Sequence, residues 1–245
     1  MRRIALCAAT ALAMPMCFAT SALADGQTSV TIDSHVTPVI RAFTPKTTAS
    51  TLVVNLDFTG ENGTAADTLT KVVLRFTYGA HVNGALFPSC TADKIRNHEA
   101  CPKGSIIGSG TGLGTVGEPP NATEEPIKLT LYNGPKGKSI VFRVQGEAPV
   151  VIDVPFDADF KTLSGGDYNY QLTIPIPDIL QRVAGLPISI KFLKVKVGAT
   201  VKKKGKKRGW IETLICPPKA LVPISGDFSF VNTNPFHVDT YIHCG

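Results

Sequence analysis

Three carboxylates stand close together in the segment DVPFDAD: Asp153, Asp157 and Asp159. Asp157 and Asp159 are two residues apart, so an extended strand puts both on one face. Such a pair offers hard oxygens to calcium, or an acid and a base for cleaving a glycosidic bond. Neither chemistry has its supporting residues here. There is no EF-type loop, and one close pair of acids more often marks a polar strand edge. The five histidines, His35, His81, His98, His237 and His243, show no H-E-x-x-H spacing. His237 and His243 would share a strand face roughly 20 Å apart, too far for one metal ion. No serine occupies a G-x-S-x-G elbow. Gly112-x-Gly114-x-x-Gly117 has the spacing of a dinucleotide loop, but Glu118-Pro119-Pro120 follow where a phosphate-binding helix would have to open. The residues therefore point to no cofactor, no metal and no catalytic centre.

The cysteines carry a different chemistry. Arg2 and Arg3, the apolar run to about Ala19 and the small residues of Ala22-Leu23-Ala24 form the three parts of a secretory leader, cleaved before Asp25. The run is too short, and too interrupted by Pro15, for a membrane anchor, and no later segment is apolar enough for a spanning helix. Cys7 and Cys17 fall in the leader, leaving Cys90, Cys101, Cys216 and Cys244. Export to an oxidising compartment favours two bridges over four thiols. Three pairings are open. Cys90–Cys101 with Cys216–Cys244 keeps each bridge inside one half of the chain. No C-x-x-C spacing supports zinc.

A second cluster is electrostatic. Residues 202–208 read KKKGKKR, so Lys202, Lys203, Lys204, Lys206, Lys207 and Arg208 surround Gly205. Val201 and Trp210 flank the run, which predicts a hairpin tip turning at Gly205. The chain's formal charge of +6 is too mild to dictate a partner. The tip itself offers contact with an anionic polymer, or simply a solvated edge that blocks aggregation. Nucleic acid is the least fitting anion, because no aromatic platform accompanies the lysines.

The elements that must position these groups are strands. Residues 51–58, 71–78, 127–132, 139–144, 168–175, 187–201, 210–216, 227–231 and 237–243 are β-branched or aromatic-rich and bounded by Gly, Pro or Asn. Only 91–97 and 177–183 suggest helix, each one connecting turn. In 187–201 the apolar set runs Ile188, Ile190, Phe192 and then shifts to Leu193, Val195, Val197, the mark of a bulge or a strand crossing between sheets. In 108–114, GSGTGLG, glycine fills every second position, so one strand face is bare and another backbone or a large side chain can approach closely. The expected fold is an all-β antiparallel sandwich, as one large unit or as two small ones. In the latter case the Pro-rich stretch 117–125 divides an N-terminal unit, 25–118, from a C-terminal unit, 119–245.

Phe87-Pro88-Ser89-Cys90, then Cys101-Pro102-Lys103-Gly104-Ser105, then the small-residue strand from Gly108, form a pattern. Together with Ile174-Pro175-Ile176-Pro177, Cys216-Pro217 and the terminal Cys244, it resembles a group of uncharacterised secreted proteins of actinobacterial type. The resemblance implies a β-sandwich over most of the mature chain and implies no activity. The basic tip lies outside the shared pattern.

These readings converge on a secreted, disulfide-bonded, non-catalytic protein, binding or structural, at or outside the cell envelope. Its expected partner is an anionic envelope polymer or another envelope protein, met through the basic tip and the stapled 90–101 loop. The alternative is a secreted hydrolase of glycans or esters built on Asp153, Asp157 and Asp159.

Overall fold

Among the described residues, the backbone is extended through the segments where apolar and polar residues alternate. A computed structural model describes residues 27–38, 47–77, 80–213 and 221–244; the leader 1–24 and Cys216 lie outside them. In chain order come β1 (Ser29–Thr37), β2 (Thr48–Thr59), β3 (Leu69–Thr77), β4 (Ala80–Val82), α1 (Ala92–Arg96), β5 (Ile106–Val116) and β6 (Thr123–Asn133). Then follow β7 (Ser139–Gly146), β8 (Ile152–Thr162), β9 (Tyr168–Pro175), α2 (Asp178–Gln181), β10 (Arg182–Val183) and β11 (Leu186–Val197). The last are β12 (Thr200–Lys203), β13 (Lys206–Gly209), β14 (Ile211–Thr213), β15 (Leu221–Phe230) and β16 (Phe236–Cys244).

The sandwich expectation needs correction. The protein is all-β and mostly antiparallel, but the sheet closes on itself as an 11-stranded barrel with extra strands. The wall runs β11–β5–β6–β7–β8–β9–β3–β15–β16–β1–β2 and returns to β11. β11 makes the closure, because one edge pairs with β5 and the other with β2. An odd ring cannot alternate direction throughout, and its one parallel pair is β1 with β16. Apolar alternation states that one face of a strand is covered. It does not state whether a second sheet or the far side of the same sheet covers it, and there the sandwich reading went astray.

Residues 117–122 link β5 to β6, and strands from both sides of that link interleave around the wall. β3, for instance, lies between β9 and β15.

Two local features shape the ring. The register of β11 against β5 shifts between Ile190 and Phe192, the bulge that the phase slip predicts. The bare glycine face of β5 points inward, since Gly108, Gly110 and Gly112 pair with the inward residues Val197, Val195 and Leu193 of β11. A Cβ on Gly108 or Gly110 would come within 2.5 or 2.7 Å of a β11 carbonyl, and one on Gly112 within 2.5 Å of the Leu193 side chain. Glycine there lets β11 fold tightly over β5, making a corner in the wall.

We call the end where β5 meets β6 the upper end. The lower end carries α1, β4, β14 and the β12–β13 hairpin. Below the stretch paired with β11, the same edge of β2 pairs with β14, which pairs in turn with β4.

Candidate functional site

The inside of the barrel is hydrocarbon. Leu52, Val54, Leu56 and Phe58 from β2 meet Leu129, Leu131, Phe142 and Phe156 from the opposite wall. The outward positions of these strands are mostly polar or charged, as with Asn55 and Asp57 on β2, Lys194 and Lys196 on β11 and Asp157 and Asp159 on β8, with Val53 and Phe192 as apolar exceptions. This is the reverse of a membrane-spanning barrel, whose outer band is apolar. Among the described residues, no helix is long and apolar enough to cross a membrane.

Small barrels of about eight strands fill their interior with side chains; a ring of eleven is wider. Here the filling is incomplete. A cavity of about 160 Å³ occupies the middle and upper lumen, and a second of about 110 Å³ lies below it. Leu52, Phe76, Ile140, Leu172 and Val197 line both. At roughly 24 cal/mol per Å³, an empty 160 Å³ void costs about 4 kcal/mol of stability. An apolar occupant would recover part of that loss.

The two ends of the lumen are built differently. At the lower end, Trp210 is buried and faces Phe160 at 6.1 Å between ring centres. Its Nε1 donates to Asn133 Oδ1 at 2.9 Å. Asn133 is fully buried, and its Nδ2 donates to the carbonyls of Gly84, Phe87 and Pro88. Its backbone oxygen accepts from Cys90 N, which ties this floor to the stapled loop. Neither Asn133 nor Trp210 was legible as functional. In sequence Asn133 reads as a strand end before Gly134-Pro135, and Trp210 as a hairpin flank.

At the upper end, α2 crosses the mouth, touching β11 on one side of the ring and β3 on the other. Leu180 hangs from it into the upper cavity, while Ile179 is 59% exposed. Glu125 lines the same region, buried, its oxygens accepting from the amides of Ala148 and Val150.

The acids singled out by sequence lie elsewhere. Asp153, Asp157 and Asp159 point outward from β8 on the convex wall. Asp153 is held by Arg143 through two bonds of 2.7 and 2.6 Å, and that pairing lowers its pKa against the opposing pull of burial. Burial, then Asp93 and Asp159, raise the pKa of Asp157, with Arg96 opposing. His98 and Arg143 line a small polar hollow beside the stapled loop. No cluster of three or more metal-ligating side chains occurs among the described residues.

The cysteines follow the expected pattern where described. Cys90 and Cys101 form a disulfide with Cα atoms 5.4 Å apart, closing an excursion of 11 residues that carries α1. Such a bridge adds about 3 kcal/mol by restricting the unfolded chain. Cys244 is disulfide-bonded and buried. The expected Cys216–Cys244 pairing lies outside the described residues.

The basic run is a hairpin as expected, turning at Lys204 and Gly205, both with positive φ. Lys202 stands opposite Lys207 and Lys203 opposite Lys206. All four are exposed, and like charges facing one another across a ladder repel. Arg208 differs. It anchors the hairpin base on Glu212, which is only 2% exposed, by bonds of 2.9 and 3.0 Å. Burial alone would raise the pKa of Glu212. Bonds from Arg208, the Gly209 amide, Thr47 and Asn83 outweigh it and hold the group down to about 2.

A further polar chain crosses the outer wall from β9 to β3. Tyr168 donates to Asp239; His237 bridges Asp239 at 3.1 Å and Asp227 at 2.5 Å; Arg75 completes the chain on Asp227 at 2.6 Å.

No known protein family, curated protein or solved structure matches this chain.

Proposed function

We propose that the chain is an exported, non-catalytic binding protein whose barrel lumen holds a small apolar molecule. The observation that carries this reading is the pair of abutting cavities inside a wall that is hydrocarbon within and polar without. A protein of this kind shields an insoluble molecule from water and binds it by the area it removes from water.

The expected outcome is that the mature protein binds a medium-chain alcohol such as decan-1-ol, one molecule per barrel. Val54 lines the upper cavity and is buried. Val54→Phe should fill that void, stabilise the empty barrel by about 1 kcal/mol and abolish binding. Calorimetric titration with thermal unfolding of both forms reads this. A wild-type barrel that takes up no apolar probe would end the reading.

The β12–β13 hairpin supports a second contact, with an anionic polymer at the envelope. The facing lysine pairs repel each other, and a polyanion laid across them would relieve that repulsion. The hydrolase alternative gains nothing from the geometry. Asp153 is committed to Arg143, and Asp157 and Asp159 face water from a convex wall.

A further inference from the structure

We infer that the lumen takes one straight hydrocarbon chain, inserted past α2 with its methyl end toward Trp210 and its polar head left at the upper end. The inference rests on the lumen reading above and adds the shape, direction and chemical class of the ligand.

Shape comes from the placement of the cavities. The upper one reaches Ile176 and Ile188 near the mouth, and the lower one reaches Trp210 and Cys244 at the floor. They are strung along the barrel axis, with Leu52 and Phe76 forming part of the wall of both. A space long in one direction and pinched at its middle suits a slender chain and excludes a fused-ring body.

Direction comes from the unequal ends. The floor is locked by Trp210, the buried Asn133 with its three carbonyl acceptors, and the bridged loop tied to it through Cys90 N. The mouth is covered by a helix of four residues. Its neighbouring ties are Ile176 N to Thr70 O and a Gln181 side chain that bonds back to Ile176 O. Leu180 is the side chain it inserts. Few buried contacts and few backbone bonds mark an element that opens at low cost.

Chemistry agrees with direction. Glu125 is the acidic side chain that lines the upper cavity, and it lies at the mouth, its oxygens accepting from the amides of Ala148 and Val150. Thr213, at the floor, is already paired with Ser50 at 2.6 Å. A head group left at the mouth lies beside the Glu125 carboxylate and near solvent, whereas Trp210 and the buried Asn133 close the floor. Val151, Ile179 and Leu186, 83%, 59% and 49% exposed, sit at that same end and give an entering chain apolar surface before it reaches the lumen.

The test is a titration of the mature protein with straight primary alcohols from hexan-1-ol to hexadecan-1-ol, and with cyclododecanol as the compact counterpart of dodecan-1-ol. Affinity should rise roughly fourfold per methylene and then level off when the chain meets Trp210. Cyclododecanol should bind at least about tenfold more weakly than dodecan-1-ol, because the waist must widen to admit it. Phe76→Ala, with Leu52→Ala as an independent second variant, should reduce that discrimination severalfold. Leu180→Ala should speed uptake and release while leaving the plateau length in place. Equal binding of cyclic and straight alcohols, or a length series with no plateau, overturns the straight-chain assignment while leaving the lumen reading intact. Unchanged exchange rates in Leu180→Ala overturn the direction. Failure of every alcohol to bind overturns both this inference and the reading beneath it.

Discussion

Single side chains set how this protein responds to pH, and two of them pull in opposite directions. Glu212 titrates near 4.5 when unfolded and at about 2 when folded. Its contribution is present above 4.5 and is lost as pH falls from there toward 2. His237 is the opposite case: bonds to Asp227 and then Asp239 raise its pKa above the ordinary 6.5. That contribution is fully present below 6.5 and fades as pH rises through the higher folded value. Urea midpoints across pH should therefore fall at both ends. Glu212→Gln should flatten the acid limb and His237→Gln the alkaline one, the latter weakly because His237 is half exposed. Limbs that persist in the variants would assign them to other groups. None of this was legible in sequence. Glu212 is four residues from Arg208, but only the fold buries it beside the Gly209 amide, and the partners of His237 come from other strands and its own alternation.

Among the elements, the hairpin and the glycine strand were legible, because each depends on a local rule. Gly205 among lysines is a turn signal, and β12–β13 turns there. Alternate glycines in β5 predict close approach, and β11 folds over them. The shift of phase in β11 predicts a bulge, and the register slips after Ile190. The polar strand β8 and the N-terminal β1 were harder. Aspartates dilute the alternation of the first, and the second is defined mainly by its pairing with β2 and β16. At this scale the electrostatic prediction belongs to the hairpin. Replacing Lys202, Lys203, Lys206 and Lys207 with Gln should abolish retention on a polyphosphate resin at low salt. Removing the facing like charges should also leave the fold as stable or slightly more so, by a few tenths of a kcal/mol. Retention that survives the substitutions would show that the hairpin is only a solvated edge.

For the whole molecule, ring closure is what local patterns could not reveal. β11 reads as a long strand with a slip, and nothing in it states that both of its edges are paired. Closure creates the lumen, and the width of an eleven-strand ring leaves the lumen unfilled. Polar residues at chemical spacing are the functional signal a sequence can carry. The site the fold supports instead is made of Leu, Val, Ile and Phe that sequence reading assigns to core, and no polar motif announces it. The Cys90–Cys101 bridge fits such a role, since a barrel with a partly unfilled interior must hold its shape by other means.

The central claim is that this interior is occupied. Native mass spectrometry of the protein recovered from the cells that make it tests the claim most directly. The account predicts a one-to-one adduct that is extracted by organic solvent and missing from Val54→Phe. A wild-type protein that carries no apolar adduct, and acquires none when offered decan-1-ol, would contradict it.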